Sequence, residues 1–136
     1  MKILVTGGCG YKGSVLIPQL ISDGHEIINI DTQWFGNYLP EHERLTNIKG
    51  DIRETNEIPM EGVESIIHLA NVANDPAVEL NPTLSWEINV LASQQLADSA
   101  VREGVKQFIF ASSGSVYGIK EEAKVTENLP LVPISV

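Results

Sequence analysis

The sequence predicts an α/β fold, a doubly wound parallel sheet with helices on both faces. Three observations predict it. Short continuous apolar runs recur along the 136 residues, each closed by a turn. Segments with helical apolar spacing lie between several of them. The residues able to do chemistry cluster just after the apolar runs, where sheets of this kind bind ligands. A parallel strand is covered on both faces, so it reads as an unbroken hydrophobic run.

The first run, residues 2–6, is continuous and β-branched and reads as a buried strand. It ends in Gly7-Gly8-Cys9-Gly10-Tyr11-Lys12-Gly13. Gly8-x-Gly10-x-x-Gly13 fits the dinucleotide fingerprint, and Gly7 adds a second register of the same pattern. A helix from about Tyr11 to Asp23 follows, with Val15, Leu16, Leu20 and Ile21 at helical spacing. Its first amides have no intrahelical partners and face a partial positive charge, which suits a pyrophosphate. The alternative is a glycine-rich turn without a ligand. Pro18 predicts a local kink, and Gly24 a stop.

The second strand, His25 to Asp31, ends in an acid 18 positions after Gly13. A carboxylate there accepts ribose hydroxyl hydrogen bonds and repels a 2′-phosphate, so Asp31 favours NAD over NADP. The alternative is an Asp that caps a turn. Residues 32–45 read as a loop; its Trp34, Phe35 and Tyr38 either line a cofactor edge or, the preferred reading, pack on the domain surface. A third strand covers Thr46 to Lys49, before Gly50-Asp51-Ile52-Arg53. Residues 54–62 are at best a short crossover.

The fourth strand, Ser65 to Ala70, contains His68, read as a hydrogen-bonded core residue rather than a ligand or base. Residues 71–76 form a loop, in which Asn74-Asp75-Pro76 is either a substrate contact or, by default, a turn. The longest helix runs from about Thr83 to Glu103 with a buried stripe of Leu84, Ile88, Leu91, Leu96 and Val101, and Gly104 ends it. Asn89, among apolar neighbours, must be paired or must face a ligand. The fifth strand, Gln107 to Ala111, leads into Ser112-Ser113-Gly114-Ser115-Val116-Tyr117-Gly118. Residues 119–136 carry little regular structure. The strand ends converge on one crevice, an arrangement of Rossmann type.

Composition narrows the partners. A net charge of −9 and a pI near 4.6 argue against nucleic acid or an anionic membrane. A backbone phosphate site is unaffected, because it works through local dipoles. One cysteine excludes an internal disulfide and a multi-cysteine zinc site, and no metal site is expected. No apolar run approaches a membrane span, and the start shows no secretory pattern; the expected location is cytoplasmic.

Taken together, these residues resemble the extended short-chain dehydrogenase/reductase family, the NAD-dependent epimerase/dehydratase group acting on nucleotide sugars. Thr6-Gly7-Gly8-Cys9-Gly10-Tyr11-Lys12-Gly13 fits the family's Thr-Gly-x-x-Gly-x-x-Gly. Asp31 fits its second-strand acid, Asp51-Ile52 its adenine-side pair, and His68-Leu69-Ala70-Asn71 approaches its His-Leu-Ala-Ala. Asn89-Val90 and the run Ser112 to Gly118 match its later signatures. The resemblance implies NAD contacts at Gly7, Gly10, Tyr11, Lys12, Gly13, Asp31, Asp51, Ile52, Leu69, Ala70, Asn71, Asn89, Ala111 and Ser112. It implies a catalytic Ser113 that hydrogen-bonds the substrate hydroxyl being oxidised and stabilises the developing carbonyl oxygen. Tyr117 belongs to the signature and is read as packing. The implied partner is a nucleotide sugar, and family members are often homodimers through helices.

The family's base is a Tyr in Tyr-x-x-x-Lys, where the Lys lowers the Tyr pKa toward working pH. Tyr11, Tyr38 and Tyr117 are followed four positions on by Val15, His42 and Glu121, so the motif does not occur here. Its expected place lies just beyond Val136. Three readings follow: a dinucleotide-binding domain over residues 1–118 cut short after about five strands, with 119–136 leading toward a missing Tyr-x-x-x-Lys helix and substrate region; a complete, non-catalytic binding or regulatory module; or a subunit whose Tyr and Lys come from another chain. The first is preferred. It implies a chain that binds NAD but is catalytically incomplete.

Overall fold

The computed structural model describes residues 1–73 and 75–134, and the backbone alone of Asp75. Asn74, Ser135 and Val136 lie outside the described residues. So do the Asp75 side chain and, with it, most of the expected Asn74-Asp75-Pro76 contact and the end of the run toward Val136.

Five parallel strands form one sheet in the order β3-β2-β1-β4-β5. They are β1 (Lys2–Thr6), β2 (Glu26–Asp31), β3 (Leu45–Lys49), β4 (Ser65–His68) and β5 (Gln107–Phe110). The order reverses at β1, which pairs with both β2 and β4. A crevice must open above that switch point, because the connections leave β1 and β4 toward opposite sides.

Strand alternation sorts the core into two layers. Leu4, Ile28, Ile30 and Ile66 point to one face, where they meet Leu96 and Ala100 of helix α4 (Ser93–Arg102). Ile3, Val5 and Ile27 point to the other and meet Ile17 and Ile21 of helix α1 (Tyr11–Ser22). The register Leu4↔Ile28 and Leu4↔Ile66 keeps like faces together. The predicted helices on both faces are therefore present.

Helix α1 runs through Pro18, whose ring is exposed. Its buried line is Gly13, Ile17 and Ile21, with Leu16 and Leu20 beside it, so the expected place of Val15 is corrected: it is exposed. The face is set by Gly13 packing on the loop, and Val15 lies about 200° round the helix from it.

The long helix of the sequence reading is a composite. Helix α2 (Asp75–Leu80) occupies part of the expected loop, and α3 (Pro82–Trp86) restarts after Asn81, whose side chain accepts from the Leu84 amide at 3.0 Å. Asn at the cap with Pro at the first helical position is a strong start signal. Residues Glu87–Ala92 then widen into a π-turn before α4. The buried stripe is Ser85, Ile88, Ala92, Leu96 and Ala100. Leu91 and Val101 are exposed, against expectation. The wider turn advances less per residue, so Leu91 rotates off the sheet, and Val101 follows the shifted phase to the solvent side.

β5 is an edge strand, and Ile109 and Phe110 are partly open, Phe110 by 54%. The chain returns past it: Val132 donates to the Val116 carbonyl at 3.0 Å. Residues 118–134 otherwise hold only turns and bends, as expected.

The glycine loop leaves little room for side chains. A Cβ on Gly13 would run into the Gly8 carbonyl and Cα. One on Gly10 would meet only the Gly7 carbonyl, at 3.3 Å. Gly13→Ala is therefore expected to lower unfolding free energy by about 3 kcal/mol, and Gly10→Ala by less than about 1 kcal/mol. Urea denaturation of both variants checks this; equal losses would overturn the steric account.

Candidate functional site

A cleft of about 1060 Å3 opens at the carboxyl ends of the strands. Every residue named above for cofactor contact lines it, and so does Ser113. The structure thus brings together groups spread from Gly7 to Ser113. What each does there follows from its own surroundings.

The loop after β1 is built from the backbone. Gly7 has φ of +73°, and a Cβ on it would stand 2.6 Å from the backbone of Ala70. Only glycine serves at such a point. The N-cap Gly10 has no side-chain cap, and the first turn of α1 carries no acid. The amides of Tyr11, Lys12 and Gly13 start the helix without intrahelical partners and open on the cleft. The Tyr11 and Lys12 side chains are exposed.

Two residues of β2 hold this loop. Asn29 is fully buried; its Oδ1 accepts from the Gly8 amide at 3.0 Å, while its Nδ2 donates to Asn47 Oδ1 and the Cys9 sulfur. Asp31 accepts from the Cys9 amide at 2.9 Å and from the Gln33 amide at 2.6 Å. Burial, reinforced by the Asp31 charge, pushes the Cys9 thiol above its ordinary pKa. The role of Asn29 was missed in the sequence. Its signal was there: a lone amide inside Ile27-Ile28-Asn29-Ile30 must be paired when buried.

At the β3 exit, Arg53 grips Asp51 with its Nε and Nη2, the closest contact 2.8 Å, and reaches Glu87 with Nη1 at 2.9 Å. The guanidinium holds the Asp51 carboxyl below the usual carboxylate range. Ile52 is buried, packed with Val72, Val78, Ile88 and Ala92, and forms floor rather than wall.

At the β4 exit, Leu69 and Ala70 are half-buried and Asn71 exposed. Asn89 is paired, one of its two expected fates: its Oδ1 accepts from Val72 N at 2.8 Å and its Nδ2 donates to Val72 O at 3.0 Å. His68 is 2% exposed and bonded through both ring nitrogens, to Thr6 Oγ1 and Ser93 Oγ. It is a core residue, as its apolar run implied.

At the β5 exit, Ala111 donates to the His68 carbonyl at 3.1 Å. Ser113 starts a 3-10 turn (Gly114–Tyr117) and its Oγ lies 2.7 Å from Ser115 Oγ. Ser113 Oγ also accepts from the Ser115 amide at 3.2 Å, and both residues are exposed and line the cleft. Trp34, Phe35 and Tyr38 correct the preferred surface-packing reading: they stand exposed along the cleft. Gln33 and Gly36 have positive φ and turn the loop outward. Among the described residues no group of His, Cys, Asp or Glu could hold a metal ion, and no helix is long and apolar enough to cross a membrane.

This geometry has close counterparts. The UDP-glucose 4-epimerase of Corynebacterium glutamicum is 34% identical over 98% of this chain, which spans 41% of that protein's length. The structure of the dTDP-glucose 4,6-dehydratase DesIV of Streptomyces venezuelae, with NAD and TYD bound, superposes with a TM-score of 0.90 at 30% identity, over 99% of this chain and 46% of that one. The Thermus thermophilus UDP-glucose 4-epimerase complex with NAD gives 0.89 at 28%, over 99% and 45%. Residues 3–136 match the NAD dependent epimerase/dehydratase family, and the chain belongs to it.

Proposed function

We propose that this chain is the cofactor-holding portion of an enzyme that modifies a nucleotide sugar, and that it binds NAD but does not turn over substrate by itself. The observation that carries this is the cleft at the switch point, with a side-chain-free loop at one end and an acid at the end of β2. The residues fit the cofactor. The loop is a cradle that any Cβ at Gly7 would fill, and Asp31 keeps carboxylate lone pairs beyond the two it gives to backbone amides.

The amides at the start of α1 would hold the pyrophosphate. Asp31 would take the adenosine ribose hydroxyls, and its charge would exclude a 2′-phosphate. Asp51 and Ile52 would meet the adenine, and Leu69, Ala70, Asn71, Ala111 and Ser112 the nicotinamide riboside side. Asn89 would act on that side indirectly, through Val72. When bound, NAD supplies the hydride acceptor. Ser113 offers a hydroxyl beside that end, able to orient the substrate hydroxyl and donate to its oxygen as negative charge develops.

A proton acceptor for that hydroxyl is missing from the sequence in the expected form. Neutral Tyr near pKa 10 is a poor base without a neighbouring cation. None of the three tyrosines has a Lys four positions on. The proposed activity of the parent enzyme, whether epimerisation or dehydration, thus needs a group from outside these 136 residues. The nucleotide sugars named with the relatives set the proposed substrate class and not the individual sugar.

Titrating NAD and NADP by calorimetry is expected to show tighter NAD binding; tighter NADP binding would overturn the role of Asp31. Asp31→Ala is expected to weaken NAD about tenfold and to narrow the gap between the two cofactors. Arg53→Gln frees the Asp51 carboxylate and should weaken AMP and NAD by the same factor, read in parallel titrations. A loss confined to NAD would remove Asp51 from the adenosine end.

A further inference from the structure

A chain of hydrogen bonds crosses the fold at the floor of the cleft, which His68 and Ser93 both line. The Ala70 amide donates to Thr6 Oγ1 at 3.4 Å. Thr6 Oγ1 lies 2.6 Å from His68 Nδ1, and His68 Nε2 lies 2.8 Å from Ser93 Oγ. Ser93 Oγ reaches the Ile88 carbonyl at 3.4 Å, five residues back, across the π-turn. The direction follows when every one of these bonds is kept. A carbonyl only accepts, so the Ser93 proton goes to Ile88. Ser93 Oγ must then accept, so His68 carries its proton on Nε2. Nδ1 is left with a lone pair and takes the Thr6 proton, while Thr6 Oγ1 accepts from Ala70.

The ring suits that neutral form. It meets Thr6 from β1, Ser93 at the start of α4, and Phe108 and Phe110 from β5, with ring centroids 6.0 and 5.6 Å away. None of these groups titrates or carries charge. Burial holds the His68 pKa down at about 4.

The same π-turn makes two further ties. Asn89 holds both backbone groups of Val72, and Glu87 holds Arg53 and through it Asp51. Residues 69–72 form the wall of the cleft between these ties. Leu69 N donates to Thr6 O at 3.0 Å.

We propose that His68 and Ser93 are positioning residues for the nicotinamide half of the cleft: their relay ties the end of β4 to the π-turn and so sets the place of residues 69–72. The proposal rests on reading the cleft as an NAD site. Neither residue needs to touch the cofactor.

The test uses the 136-residue chain. Imidazole 15N NMR without ligand is expected to show His68 as the Nε2–H tautomer, untitrated from pH 8 to 5. The other tautomer, or a midpoint near 6.5, would overturn the relay. Ser93→Ala should weaken NAD about tenfold and leave AMP, a probe of the adenosine half, within about twofold, while Ser93→Thr keeps wild-type affinity for both. Equal losses of AMP and NAD in Ser93→Ala, or no loss, would overturn the proposal while leaving the cofactor reading intact. Failure of the wild type to bind either ligand would overturn both. Linkage gives a further readout. The unfolded ring protonates near 6.5 and the folded ring near 4, so the His68 contribution makes the urea midpoint fall as pH drops through that window. Asp51, held low by Arg53, titrates beneath the window. A wild-type midpoint that tracks that of His68→Gln at every pH would overturn the neutral ring.

Discussion

The chain must pass from β1 to α1 through a space with no room for side chains. Gly7 lies against the backbone of Ala70, Gly13 against Gly8, and Gly8 against the Asn29 amide. Everything else in the cleft is arranged around that passage. The amides at the head of α1 are open because no Cβ closes over them, and Asn29 and Asp31 sit at the end of β2 where they can hold the loop from below. The close approach of Gly7 to Ala70 goes with β4 lying beside β1 in the sheet.

Much of this was legible in the sequence, because it is local. A strand, a glycine turn and a helix are read from consecutive residues, and so is an acid at a strand end. The five strand ends converge for a topological reason that needs no side-chain detail. The cleft-lining residues were legible by the same route. What escaped was the polar framework beneath the cleft. Asn29, Thr6, Arg53 and Ser93 each have at least one partner 18 to 64 positions away, and a sequence without such pairings shows each only as a polar residue.

The long helix shows a second limit. Its apolar positions fit an α-helical period well enough to conceal a π-turn, since one wide turn shifts the phase without breaking the pattern. Leu91 and Val101 were lost to that shift. Asn89 gave the one local hint, a polar residue that required a partner. From this one segment Glu87 reaches Arg53, Asn89 the backbone of Val72, and Ser93, just after the wide turn, His68.

Under its proposed role, Asp31 would serve recognition and folding at once. Its carboxylate closes the glycine loop through the Cys9 amide and turns the chain at Gln33, independently of any ligand. Redirecting such a site toward a phosphorylated cofactor would thus take more than removing a charge. A replacement must still offer the Cys9 amide an acceptor, which makes an uncharged carboxamide a better starting point than a simple truncation. The Asn37 and Asn47 side chains nearby, already bonded around Cys9 and Asn29, are where compensating changes would have to fit. A switch of cofactor would have to be traversed as a coordinated set of substitutions, with the loop's own integrity limiting which orders of change are viable.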